Sequence, residues 1–172
     1  MENINEVIKD IPNSYVVLQQ NTHFNLQDRI VHGYEEADRV GKFVETCNAH
    51  AKQESDEERA IFEKKLGELM TLSHNSCKDL YECSSPELDE LVGRALKAGA
   101  LGSRLTGAGW GGCCVSVVPK TKVADFITEV MKYYTDPREH PLWVSDNLNM
   151  YIFATNPGRG ALTLIPDYTL WF

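Results

Sequence analysis

The chain has 172 residues, with 25 Asp plus Glu against 17 Lys plus Arg for a formal net charge of -8, and it is 42% hydrophobic and 24% charged. That is the size of one domain with at most an appended arm, and its acidic balance excludes an electrostatic nucleic-acid binder, which needs a clustered excess of basic side chains. The longest nearly uncharged apolar stretches, such as Cys113 to Pro119, fall far short of the roughly 20 residues that span a bilayer, and Met1-Glu2-Asn3-Ile4-Asn5-Glu6 lacks the basic and apolar regions of a secretory signal.

Residues 1–24 read as an arm or a lone strand, Ser14-Tyr15-Val16-Val17-Leu18 following a turn at Pro12-Asn13. From Leu26 the apolar set Leu26, Ile30, Tyr34, Ala37, Val40, Val44 and Cys47 keeps helical spacing. Asp28, Arg29, Glu35, Glu36 and Arg39 take the other side, which predicts an amphipathic helix. Lys52 to Glu58 reads as a charged loop, after which Phe62, Leu66, Leu69, Met70 and Ser73 form a second helical stripe running toward Leu80. Ser84-Ser85-Pro86-Glu87 is a helix start, with Ser85 as the accepting cap and Pro86 where its missing N–H costs nothing. Leu88, Leu91, Val92, Ala95 and Leu96 form one face of this third helix, and Gly99 is placed to end it in a left-handed cap.

The period then changes. Leu101 to Thr106 and Cys113 to Val118 read as two antiparallel strands separated by Gly107-Ala108-Gly109-Trp110-Gly111-Gly112, and Pro119 ends the second. Val123, Phe126, Ile127, Val130, Met131 and Tyr134 mark a fourth helix, followed by a polar linker from Thr135 to Pro141. Asn149 to Ala154 and Ala161 to Ile165 read as two further strands joined by the turn formers Asn156 to Gly160. Helices first and strands later predict an α+β domain, with long helices covering one face of a mainly antiparallel sheet of about four strands.

Cys47, Cys77, Cys83, Cys113 and Cys114 are odd in number, which fits buried or half-buried reduced thiols in a cytoplasmic protein rather than a disulfide framework. No zinc site is expected: Cys113 and Cys114 are strand neighbours facing opposite ways, and His74 with Cys77 has no second ligand pair of short spacing.

Four glycines in six residues let the backbone take positive φ and bring N–H groups together on an anion, although a plain hairpin turn uses the same freedom. Gly107, Gly109 and Gly112 match G-x-G-x-x-G, but a dinucleotide site requires the loop to open a helix, and a strand follows here. No Gly-Lys-Ser/Thr closes the run as in a Walker loop, and the lysine, H-R-D and D-F-G elements of a protein kinase are absent. Ser73, His74 and Asp79 do not make a hydrolytic triad, because adjacent helical residues point about 100° apart. His74 and Asp79 are expected to orient backbone near the glycine turn. Arg104 is placed either near a phosphate or in a pair with a helix carboxylate.

The run Arg104-Leu105-Thr106-Gly107-Ala108-Gly109-Trp110-Gly111-Gly112-Cys113 resembles the C-terminal glycine motif of the galactokinase group of GHMP kinases. Leu66-Gly67-Glu68-Leu69-Met70, Ser73-His74, Ser76-Cys77, Asp79 to Ser84 and Pro86 to Val92 are similar to blocks of the same group in the same order. His32 to Ala37 with Arg39-Val40 resembles the preceding helix, and Phe153-Ala154, Pro157 and Gly160-Ala161 the closing strands. The resemblance implies a GHMP kinase C-terminal domain over 25–165, with an arm at 1–24 and a tail at 166–172. It implies an ATP-dependent sugar 1-kinase, a cytoplasmic transferase of carbohydrate metabolism acting on galactose or N-acetylgalactosamine, or alternatively a non-catalytic sugar-sensing module. By the same resemblance Gly107, Ala108, Gly109, Trp110, Gly111 and Gly112 form the substrate and phosphate loop, supported by Arg104, Thr106, His74 and Asp79. No catalytic residue and no metal ligand is assigned to this chain. The family carries its sugar signature, catalytic Asp and Arg, ATP loop and the ligands of Mg²⁺ in an N-terminal domain. This chain alone is therefore expected to be inactive, and to expose an apolar patch that includes Trp110 and residues of the first helix.

Overall fold

The computed structural model describes residues 25–50, 55–135 and 151–156. Its first helix, α1 (Leu26–His50), turns its two faces the opposite way from the hydrophobic pattern. Leu26, Ile30, Tyr34, Val40 and Val44, read as the buried stripe, are between 52% and 78% exposed. The side that packs against the next helix is polar, with Arg29, His32, Glu36 and Arg39 recurring at a spacing of three and four. Burial of such a face is favourable only when its groups are paired. Here Glu36 accepts from Ser73 and Arg39, His32 Nδ1 lies 2.9 Å from Ser76 Oγ, and Arg29 donates to the Leu80 carbonyl. Farther along, the His50 ring stacks on Phe62 with centroids 3.8 Å apart.

The second helix, α2 (Asp56–Asp79), begins inside the charged stretch that the sequence pattern assigns to a loop. Ser55 Oγ accepts from the Glu58 N–H while the Glu58 carboxylate returns to the Ser55 N–H, and Asp56, Glu57 and Glu58 lie at the positive end of the helix. Helix α3 (Pro86–Lys97) starts as its sequence predicts, with Ser85 Oγ 3.3 Å from the Leu88 N–H, and buries Leu88, Val92 and Ala95. It ends at Gly99, whose φ of +101° lets Ala100 donate to the Ala95 carbonyl at 3.0 Å.

Strands β1 (Gly102–Thr106) and β2 (Cys113–Val117) pair antiparallel, with Gly102 opposite Val117 and Thr106 opposite Cys113. Both rest on helices: α2 and α3 pack against β1 and β2, and Cys77, Cys83, Leu88 and Leu105 make the shared core. The α+β class holds, with helices dominant, but the described residues contain two strands rather than about four. Residues 151–154, the described part of the strand expected at Asn149 to Ala154, are turn and coil with Tyr151 and Phe153 exposed. An alternating pattern makes a strand only where a neighbour offers a row of peptide groups, and no described segment does so there. The expected strands at Ser14 to Leu18 and Ala161 to Ile165 lie outside the described residues. From Lys120 a separate unit begins, with a 3-10 turn (Lys120–Lys122) leading into α4 (Val123–Thr135), where Phe126 and Val130 are buried.

The backbones of Gly67 on α2 and Gly102 on β1 approach so closely that a methyl group on either would run into the facing peptide. Gly67→Ala should therefore destabilise the domain by about 2–3 kcal/mol or more. Gly93→Ala, at a helical site with open space around it, should stabilise by about 0.5–1 kcal/mol. Urea unfolding of the two variants checks both signs.

Candidate functional site

The strand β1 leaves the core at its end, Leu105 buried and Thr106 exposed, and Gly107 to Gly112 cross from there to Cys113. Gly107, Gly109, Gly111 and Gly112 have φ of +88°, +89°, +140° and +93°, a series that only glycine adopts without strain. The fifth left-handed residue is Trp110, at φ +54°. Its strain is offset by two hydrogen bonds: its N–H donates to the Cys83 carbonyl at 2.7 Å, and its indole Nε1 to the Glu82 carbonyl at 3.1 Å. Gly109 is pressed against the same Cys83 carbonyl, leaving no room for a Cβ.

Among the described residues the loop is tied down at its apex. The N–H groups of Gly107, Ala108, Gly109, Gly111 and Gly112 donate to no described residue, and the Trp110 side chain is 66% exposed. A strand follows the loop, so the loop itself opens no helix. The adjoining recess, about 220 Å³ and lined by Lys78, Glu82, Ser84, Ser85, Pro86 and Asp89, is smaller than the roughly 300–1,000 Å³ usual for ligand clefts.

The predicted supporting residues divide. His74, buried on α2, accepts the Leu105 N–H on Nδ1 at 3.3 Å, so the neutral ring carries its proton on Nε2, which lies 3.4 Å from Asp89 Oδ1. The carboxylate that meets His74 is therefore Asp89 on α3, and Asp79 is exposed at the last position of α2. Asp89 also receives Ser84 Oγ at 2.7 Å and Lys78 Nζ at 3.1 Å. Partial burial works to raise its pKa, but Ser84 and Lys78 hold it below the ordinary value. Arg104 takes the pairing alternative: its guanidinium donates to Glu36 Oε1 at 3.1 Å and its Nε to the Leu105 carbonyl at 3.0 Å. Burial pushes the Glu36 pKa up, and Ser73, Arg39 and Arg104 together bring it below the ordinary glutamate value. Thr106 stands exposed at the loop entrance.

Cys77 and Cys83 are buried, and burial with the neighbouring Cys83 pushes the Cys77 thiol up to about 11, so it stays protonated. Cys113, in contrast to the expected burial, is exposed at the start of β2. Sequence reasoning missed Glu36, Glu82, Cys83 and Asp89. Only Asp89 carried a local signal, as an acidic residue in the first turn of a capped helix.

Burial holds the His74 pKa below its ordinary 6.5, outweighing the pull of Asp89. Below pH 6.5 the unfolded chain binds a proton that the native ring still refuses, so stability falls on acidification through and below that value. His74→Gln should lower stability by about 1–2 kcal/mol at neutral pH. It should also remove this part of the pH dependence, while the further loss below pH 4.5, where Glu36 protonates, is kept. Urea midpoints measured across the range for both proteins decide it.

Residues 59–136 match the family described as GHMP kinases C terminal. The chain is 39% identical over 155 residues to a galactokinase of Dictyostelium discoideum, a match covering 83% of this chain and 30% of that protein. It is 49% identical over 94 residues to a galactokinase of Saccharomyces cerevisiae, covering 55% and 17% respectively. Its structure is similar to the crystal structure of Lactococcus lactis galactokinase complexed with galactose, with a TM-score of 0.52 and 32% identity, over 74% of this chain and 29% of that one. The chain spans less than a third of the length of each of these relatives. With the glycine loop set between two strands over α2 and α3, these matches show a GHMP kinase C-terminal fold in a chain similar to galactokinases.

Proposed function

We propose that this chain supplies one wall of an ATP-dependent sugar 1-kinase, its loop Gly107 to Gly112 closing over the sugar and the transferred phosphoryl group. The observation that carries the reading is the loop's five N–H groups that engage no described residue, presented by a backbone whose apex is fixed through Trp110. Phosphoryl transfer asks for positioning and for neutralisation of charge on the equatorial oxygens. Fixed peptide N–H groups supply both without gaining or losing a proton. The substrate is galactose or N-acetylgalactosamine, and the protein works in the cytoplasm. A donor set of peptide N–H groups suits phosphate oxygens and not a cation. By the family resemblance Mg²⁺ comes with ATP and its protein ligands belong to an N-terminal kinase domain.

An open loop in water stabilises little charge, because high dielectric screens it. Its advantage appears when a facing domain excludes solvent, and the exposed Trp110 indole and the outward apolar side of α1 are surfaces for that domain.

The test replaces the C-terminal domain of the Dictyostelium galactokinase by this chain and measures ADP release. The chimera should turn over with galactose, and the isolated chain should not, since orientation of two substrates accounts for roughly 7–11 kcal/mol of barrier lowering that one wall cannot provide. Turnover by the isolated chain, or a folded chimera that binds sugar without turnover, would overturn the proposal; the second outcome is that of a sugar-sensing module.

A further inference from the structure

The apex of the glycine loop rests on two carbonyls, those of Glu82 and Cys83, in the turn between α2 and α3. That turn contains a strained residue. Glu82 is itself left-handed, at φ +57°, a conformation uncommon for a residue with a long side chain. Around it the Leu80 and Tyr81 N–H groups both return to the Ser76 carbonyl, at 3.0 Å each, and the Cys83 N–H returns to the Cys77 carbonyl at 2.9 Å.

What closes the turn from outside is α1. Arg29 donates from one guanidinium nitrogen to the Leu80 carbonyl and from the other to the Glu82 carboxylate. Asn25 Nδ2 reaches both oxygens of that carboxylate at 3.4 Å. The guanidinium carbon also sits 5.5 Å from the centroid of the Tyr81 ring, whose other neighbour is His32 at 4.9 Å. One side chain thus touches Leu80, Tyr81 and Glu82 in sequence, by a carbonyl, a ring face and a carboxylate.

We propose that Arg29 is a positioning residue for the glycine loop: by fixing the Leu80 to Glu82 turn it sets the carbonyls that seat Trp110, and with them the orientation of the open N–H groups of Gly107 to Gly112. The mechanical link stands on contacts alone, whereas its consequence for catalysis rests on the reading of the loop given above. The planar fork of arginine is what the place requires, because two donors diverge to two acceptors while the flat face lies over Tyr81. A lysine ammonium has the charge but not that shape. The pair with Glu82 is solvent-exposed, and exposed ion pairs contribute little. The bond to the Leu80 carbonyl, at the negative end of α2, is the contact that holds the backbone in place.

The experiment uses the full chain with Trp143→Phe and Trp171→Phe, so that Trp110 is the sole tryptophan. Iodide quenching of its emission and hydrogen exchange of the Trp110 amide, the loop N–H with a described acceptor, are read for Arg29→Met, Arg29→Lys, Glu82→Gln and, as a control at an exposed pair on α2, Lys64→Met. Arg29→Met should raise exchange of that amide by about tenfold, the worth of one charge-assisted hydrogen bond, and increase quenching. Arg29→Lys should recover only part of this, and Glu82→Gln and Lys64→Met should change little. In the chimeric kinase, Arg29→Met should lower kcat by about tenfold or more with a smaller change in KM for galactose.

Unchanged exchange and quenching in folded Arg29→Met would overturn the inference whatever happens to activity. If Arg29→Met does not fold, Arg29→Lys carries the test, and native-like exchange in that variant would overturn it. A loosened loop with unaltered kcat would uphold the positioning role of Arg29 and count against the phosphate-side reading of the loop, so the two failures are told apart.

Discussion

The contact between the Gly67 and Gly102 backbones sets the distance from α2 to β1, and the rest of the site depends on it. With no side chain between them, the strand lies directly on the helix. The α2 residues that follow on that face then come within reach of strand peptides. Thr71, four residues on, bonds back to the Gly67 carbonyl at 3.2 Å and accepts from the Ser103 N–H at 3.4 Å. His74, seven residues on, accepts from the Leu105 N–H. A helix row at i, i+4 and i+7 thus meets β1 in order at Gly102, Ser103 and Leu105. Ser103, fully buried, passes the registration to β2 through its 2.9 Å hydroxyl contact with Ser116.

Around this contact the domain uses polar groups where hydrophobic ones are customary. Glu36 gathers Ser73 of α2, Arg39 of its own helix and Arg104 of β1 onto one carboxylate, and Asp89 gathers Lys78, Ser84 and the imidazole of His74. Such clusters contribute less net stability than their Coulomb attraction suggests, because each ion gives up water on burial. What they add is direction. A carboxylate with several donors fixes the relative rotation of the helices, and through His74 it fixes a peptide at the end of β1, next to the loop.

The loop itself shows how local strain and remote support combine. Its glycines make a left-handed course free of cost, and Trp110 is the one residue that carries strain there. That strain persists because carbonyls from the α2–α3 turn satisfy both its donors. The same arrangement keeps the large indole at the surface.

Much of this was legible in the residues themselves. Ser85-Pro86, Gly99 and the dense glycines of 107–112 declare a helix start, a helix end and a hairpin loop, because capping and positive φ are properties of a few consecutive residues. The capping box at Ser55 was equally local, although the charged stretch around it pointed to a loop. What the tertiary structure alone decided was which face of α1 goes inward, that Asp89 rather than Asp79 meets His74, and that Glu82 and Cys83 seat Trp110. Each of these depends on partners distant in the chain: Ser73 is 37 residues from Glu36, Arg104 is 68, and Trp110 is 28 from Glu82. A hydrophobic period identifies two faces of a helix, but a polar face is buried only if distant groups complete its hydrogen bonds. That condition is set by packing and not by the order of neighbouring residues.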